Sequence, residues 1–147
     1  MLNVITVAEA QRLIARSFGM LKMPIETVQL AQAGGRALAE DLLAREFVPD
    51  FDRSTVDGYA VRSKDVFGCS ESIPALMTKI GAAQMGIHTA LSLAAGECVY
   101  VPTGAEIPIG ADSVIMLEDA EVLEDGLVAV YKASPPGANL IFRGDDL

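Results

Sequence analysis

The stretch that decides the fold runs over residues 112–133 and reads DSVIMLEDAEVLEDGLVAVYKA. It holds three short apolar segments, DSVIMLE (112–118), AEVL (120–123) and LVAVYKA (127–133). Val and Ile, which dominate them, suit a pleated and half-buried surface, so each segment reads as a strand. Glu124-Asp125-Gly126 between the last two is a hairpin signal of the Asp-Gly kind.

Working outward, the same pattern of brief segments broken by Gly, Pro and Asp extends back to Pro49. GYAVR (58–62), MTKIGAA (77–83) and CVYVP (98–102) are further candidate strands. Pro135-Pro136-Gly137 breaks the chain again, and NLIF (139–142) is a candidate for one more. There are no internal repeats and no low-complexity tract.

The beginning of the chain is different. Thr6 followed by Glu9 forms a capping box, in which each side chain satisfies a backbone N–H at a helix start. Ala10, Leu13, Ile14 and Phe18 then share one face, Arg12 and Arg16 the other, and Gly19 is a suitable stop. This predicts a helix over about residues 7–18. IETVQL (25–30), bounded by an Ala-Gly-Gly turn, reads as a short strand. RALAEDLLARE (36–46) is rich in helix formers, with Leu38, Leu42 and Leu43 at helical spacing, so a helix is expected, or a strand in part of it. The fold class is therefore α+β and mainly β: a helix-bearing start, then a β-rich domain with its boundary near residues 47–55.

Composition agrees with a globular chain. Of the 147 residues 51% are hydrophobic but only 5% aromatic, so the core is expected to be aliphatic. Twenty acidic residues oppose eleven basic ones, a formal charge of -9, and no basic run occurs. That balance argues against nucleic acid and polyanionic membranes as partners. It does not exclude a small phosphorylated ligand, which backbone N–H groups or a bridging metal can hold. Cys69 and Cys98 stand far apart without a CxxC partner, so neither a disulfide framework nor a zinc site is expected. The N-terminus lacks the layout of a signal peptide and no apolar run approaches membrane length; a reduced cytoplasm is the expected setting.

Chemistry is concentrated in three polar, glycine-bearing stretches. VPDFDRSTVDGYAVR (48–62) crowds Asp50, Asp52 and Asp57 into eight positions around Ser54 and Thr55. It reads either as a solvated loop or as a device that presents Asp57, fixed by Gly58, to a metal or substrate. One well-placed carboxylate suffices for Mg²⁺, which draws its other ligands from substrate phosphates and water. VPTGAEIPIGADSVIMLED (101–119) puts the Thr103 hydroxyl beside Gly104, where backbone and side chain can both approach a ligand; it too can be a plain inter-strand loop. It carries neither a P-loop nor a dinucleotide fingerprint. IFRGDDL (141–147) gathers Arg143, Gly144, Asp145 and Asp146 in what is either a solvated charge run or part of a site. His88, the one histidine, has no nearby acid–Ser or Cys constellation and reads as a surface or packed residue.

Together these segments resemble the MoeA family of molybdopterin molybdenumtransferases, in its N-terminal domains I and II. FDRSTVDGYAVR is similar to the family's Phe-Asp-Asn-Ser-Ala-Met-Asp-Gly-Tyr-Ala. PTGAEIPIGADSVIMLED resembles its Thr-Gly-Ala, Pro-x-Gly-Ala-Asp and Val-x-x-x-Glu stretch, and GANLIFRGDDL its Gly-x-Asn followed by Arg-x-x-Gly-Glu-Asp-Ile. GGRALAEDLLA is similar to Gly-Arg-x-Leu-Ala-Glu-Asp. Each match is weak alone, but four in register cover nearly the whole chain.

The resemblance implies a role in molybdenum cofactor biosynthesis: Mg²⁺-dependent insertion of molybdate into adenylated molybdopterin, with release of AMP. It implies a small discontinuous α/β domain, here residues 1–46 plus 137–147, carrying an inserted β-rich, barrel-like domain over 47–136. A pterin-binding domain is expected to follow, so the chain is expected to be the N-terminal part of a longer protein that works as a homodimer. On the family's motifs Asp57, Thr103 and Asp146 match active-site positions. Molybdate and a pyrophosphate linkage are anionic and would be repelled by bare carboxylates. Asp57 and Asp146 are therefore expected to help place Mg²⁺ or orient water, and Thr103 to donate to an anionic oxygen. Arg53, Val56 and Pro102 depart from the family pattern. Two other readings stand beside the enzyme: a non-enzymatic dimerisation or partner-docking module of the same fold, and a free-standing acidic Mg²⁺-binding protein.

Overall fold

The computed structural model describes residues 4–20 and 23–147. The chain forms two compact units, Met1–Leu43 and Ala44–Leu147, so residues 137–147 group with the β-rich part.

In the first unit α1 spans Val7–Phe18 and is built as its sequence dictates. Glu9 N–H donates to the Thr6 hydroxyl, and Thr6 N–H donates to the Glu9 carboxylate at 2.8 Å. That hydrogen bond holds the Glu9 carboxyl below its ordinary range. The helix ends at Gly19, whose N–H donates to the Ala15 carbonyl in an ordinary right-handed conformation. The two elements expected beyond it are absent. IETVQL is not a strand, since a strand needs a neighbour to satisfy its backbone, and only a single 3₁₀ turn at Leu30–Gln32 forms there. Residues 36–46 are not helical. Leu38, Leu42 and Leu43 are 75%, 82% and 81% exposed, and a helix that short does not stand on propensity without an apolar surface to cover its leucines.

The second unit is β-rich, as expected, with its strands close to where the pattern put them. β1 is Arg53–Ser54, β2 Gly58–Val61, β3 Ala75–Ala82 and β4 Glu97–Val101. β5 is Ser113–Met116, β6 Ala120–Val122, β7 Leu127–Val130 and β8 Leu140–Ile141. Six of them form one sheet in the order β5-β2-β4-β3-β7-β6, antiparallel throughout except for the β3–β4 pair. β6 and β7 are the expected hairpin. β1 and β8 form a separate antiparallel pair in which Arg53 faces Ile141 and Ser54 faces Leu140.

Successive strand residues point to opposite faces, and β2 is buried on both of its faces. Tyr59 and Val61 join Cys98, Ile115, Met77, Val128 and Val130 in one core cluster. Ala60 joins Val99, Val101 and Val114 in another, covered by Leu93, Ala105 and flanking apolar residues of the connecting segments. This is why GYAV lacks the apolar–polar alternation of a one-sided strand: all four residues are buried. The core is aliphatic, as the composition requires. Among the described residues no helix is long and apolar enough to cross a membrane.

Both cysteines are free thiols. Burial pushes the Cys98 thiol up from 9.0 to about 11. A group whose native pKa lies above its unfolded one favours the native state below the unfolded value, and that contribution disappears as the pH climbs through the native one. Native protein is therefore expected to resist alkylation at Cys98 at pH 8 and to label there only on unfolding. Its stability should fall between about pH 9 and 11, and Cys98→Ala should flatten that part of a denaturation-versus-pH series.

Candidate active site

Antiparallel pairing of β2 and β4 sets Gly58 opposite Val101, so the residue before β2 and the residues after β4 must meet. Those are Asp57 and the Pro102-Thr103-Gly104 turn. Thr103 turns both of its donors on one oxygen: its N–H lies 2.7 Å and its hydroxyl 3.0 Å from Asp57 Oδ1. The other carboxylate oxygen has no hydrogen-bond partner among the described residues, and Asp57 and Thr103 are both exposed.

Each side of this contact is held by backbone chemistry. Gly58 is squeezed between strands: a Cβ there would fall 1.9 Å from the Ile115 carbonyl oxygen, so only glycine lets β5 approach. The Asp57 carbonyl accepts Leu117 N–H at 3.2 Å. Gly104 adopts φ +81°, the left-handed conformation that favours glycine, and its N–H donates to the Ser54 carbonyl at 2.8 Å. Ser54 N–H donates to the Ala105 carbonyl at 3.0 Å, and the buried Ser54 hydroxyl donates to the Val56 carbonyl at 2.6 Å. The two polar stretches of the sequence are thus stitched to each other ahead of β2.

Asp146 occupies a different set of contacts. Its carboxylate lies 3.5 Å from the Arg53 guanidinium and its N–H donates to the Val48 carbonyl at 2.8 Å. Both side chains of that ion pair are well exposed, so it contributes little to stability. Arg53 therefore meets one of the motif carboxylates directly. Asp57 and Asp146 share no hydrogen-bond partner among the described residues. Three other acids of the motifs are spent on structure. Asp52 accepts Arg143 N–H at 2.8 Å, Asp145 accepts Phe142 N–H at 2.7 Å, and Asp112 accepts the N–H and hydroxyl of Ser63 at 2.6 and 2.9 Å.

Two contributors were missed in the sequence. Asn139 sits at φ 60° and donates its side-chain amide to the Val114 carbonyl at 2.8 Å, while its own carbonyl accepts Thr55 N–H at 3.0 Å. Its position after Gly137-Ala138, where Asn tolerates the left-handed region, was the available signal. Glu106 gathers several partners and carried no signal at all.

No group of three or more His, Cys, Asp or Glu able to hold a metal occurs among the described residues. The donor set, one unpartnered oxygen on Asp57 and an exposed Asp146, does not make a protein cage. It fits a Mg²⁺ ion that takes most of its ligands from substrate phosphates and water.

Residues 5–147 match the family model for the MoeA N-terminal region, domains I and II. The chain belongs to that family. It is 34% identical over 145 residues to a molybdopterin molybdenumtransferase of Synechococcus elongatus, aligning 98% of this chain with 36% of the relative. It is 30% identical over 153 residues to gephyrin of Dictyostelium discoideum, aligning 99% of this chain with 21% of the relative. The crystal structure of the molybdopterin biosynthesis MoeA protein of Pyrococcus horikoshii superimposes with a TM-score of 0.70 at 38% identity, over 99% of this chain and 36% of that one. The chain spans about a third or less of the length of these relatives.

Gly58→Ala tests the constraint behind the site. The added methyl must push β2 from β5, at a cost of about 1–3 kcal/mol, read as a lowered urea midpoint. The amide exchange of Leu117, which donates to the Asp57 carbonyl, should rise with it.

Proposed function

We propose that this chain forms one wall of the active site of a molybdopterin molybdenumtransferase, which inserts molybdate into adenylated molybdopterin and releases AMP in molybdenum cofactor biosynthesis. Family membership supports the reaction class. The observation that carries the site is the double donation of Thr103 to Asp57 Oδ1, which aims the free oxygen of an exposed carboxylate outward.

Molybdate and the pyrophosphate linkage of the adenylated pterin are both anions. A bare carboxylate repels them unless a cation stands between. Bound Mg²⁺ would supply that charge compensation, with Asp57 as a ligand and Asp146 as a second carboxylate that reaches it or orients water. Thr103 serves chiefly as the clamp on Asp57. Its hydroxyl has one proton, and that proton is given to Asp57; to donate to an anionic oxygen of substrate it must release this contact. Arg53, drawn to Asp146, adds positive charge to a strongly acidic chain beside the same turn.

The wider organisation is proposed on the same footing. Residues 1–46 and 137–147 are pieces of one discontinuous domain and 47–136 are inserted into it. The side-by-side antiparallel pairing of β1 and β8 supports this, because an inserted domain must leave where it enters. A pterin-binding domain, contributed by the partner in a homodimer, completes the site. The uncovered apolar face of α1, with Leu13, Ile14 and Phe18 all more than half exposed, supports a further contact surface in the longer protein.

Asp57→Asn in the full-length enzyme keeps the shape and removes the charge. AMP release and molybdenum insertion are expected to fall about 10²–10³-fold. Unchanged insertion would remove Asp57 from the mechanism. Thr103→Val retains the backbone donor and loses the hydroxyl, so a smaller loss of about tenfold is expected in the same assay.

A further inference from the structure

A second pair of side chains bears on the turn that clamps Asp57. The connection between the parallel strands β3 and β4 lies along residues 102–109. Leu93 N–H donates to the Ile109 carbonyl at 2.8 Å, and Ile109 N–H donates to the Leu91 carbonyl at 3.1 Å. Nearer the site the connection is fastened by one carboxylate. Glu106 Oε2 accepts Thr89 N–H at 2.6 Å, and both Glu106 oxygens lie 3.3 Å from His88 Nδ1. The Phe51 ring meets His88 edge-on, with centroids 5.5 Å apart. Three residues before His88, Met85 lies over Gly104: a Cβ on that glycine would stand 3.6 Å from the Met85 sulfur.

Taking the reaction proposed above as given, we propose that Glu106 and His88 are positioning residues for Asp57. They hold the 84–89 turn beside the 102–106 turn, Met85 borders the space next to Gly104, and Gly104 keeps the adjacent Thr103 donors on the carboxylate. One flank of the 102–106 turn is already secured by the paired backbone bonds of Ser54 with Gly104 and Ala105. Met85 borders the other. Neither His88 nor Glu106 bonds to Asp57 or Thr103 among the described residues, so the effect passes through the turn. Glu106 also stands opposite Arg53 in an antiparallel bridge, and Arg53 is the residue that pairs with Asp146. One residue, Glu106, therefore has its backbone beside Arg53 and its carboxylate on the 88–89 segment. With His88 largely exposed and Glu106 mostly buried, the fixed member of the pair is Glu106 and the removable latch is His88.

The full-length enzyme and its His88→Ala, His88→Gln, Met85→Ala and doubly substituted His88→Ala/Met85→Ala forms provide the test. His88→Ala and Met85→Ala are each expected to lower kcat for molybdenum insertion about two- to fivefold, the scale of an exposed pair, with KM for the adenylated pterin unmoved. The double variant should lose no more than either alone, because both act along one path. His88→Gln, whose amide can donate to Glu106, should restore the rate. Amide exchange followed by mass spectrometry reads the same link without turnover: His88→Ala should speed exchange severalfold in peptides covering 101–107 as well as 84–89. Faster exchange confined to 84–89, additive kinetic losses, or a raised KM at unchanged kcat overturns the proposal. A wild-type enzyme without molybdenum insertion would refute the reaction instead, and the exchange measurement would still decide the positioning.

Discussion

Everything in the β-rich unit that bears on the site hangs on the close approach of β2 and β5 at Gly58. The strands meet where no side chain fits, with the Ile115 carbonyl filling the space a Cβ would take. Because β2 lies between β5 and β4 in the sheet, that contact also sets where β4 ends, and hence where Thr103 stands. The residue immediately before Gly58 is Asp57, so a steric requirement inside the sheet becomes a positional one for a carboxylate at its rim. A charged group on a strand end buried on both faces is held more firmly than one on a free loop.

The acidic character of the chain looks poorly suited to anionic substrates until its carboxylates are sorted by what they touch. Asp52, Asp112 and Asp145 accept backbone N–H groups and so replace main-chain partners that irregular segments lack. Asp65 and Asp119 are paired with Arg62 and Lys132. Of the two carboxylates that match active-site positions, Asp57 keeps one oxygen unengaged among the described residues and Asp146 is shared with Arg53. The net charge thus says little about the site, because several of its neighbouring carboxylates are already engaged with backbone donors or cations.

Much of the β architecture was legible because its signals are local. Asp125-Gly126 marks a reversal, and β-branched runs bounded by Gly and Pro mark strands whether or not their partners are known. The capping box of α1 is likewise contained within four residues. Residues 25–30 and 36–46 misled for the opposite reason: propensity and spacing are local, but whether a segment with Leu38, Leu42 and Leu43 coils into a helix depends on a surface to cover it. The order of strands was not readable, and neither was the parallel β3–β4 pair, since both depend on which buried faces match. At the site, Asp57 and Thr103 were nameable from their motifs, and their meeting follows from the β2–β4 register, which no motif states. The role of Glu106 was invisible because its side-chain partners Thr89 and His88, and Arg53 across the backbone bridge, come from two segments far from it in the chain.

The pairing of β1 with β8 has a consequence for how the molecule is made. Arg53 and Ser54 leave the ribosome long before Ile141 and Leu140, and until those arrive β1 has no partner in its own sheet. Asp57 can find Thr103 once β4 has emerged, whereas Arg53 must wait for Asp146. The two carboxylates are therefore set in place at different moments of synthesis. The nascent domain passes through a stage in which the sheet is largely paired and its rim still open, leaving the β8-facing edge of β1 available to a chaperone or to another unpaired strand.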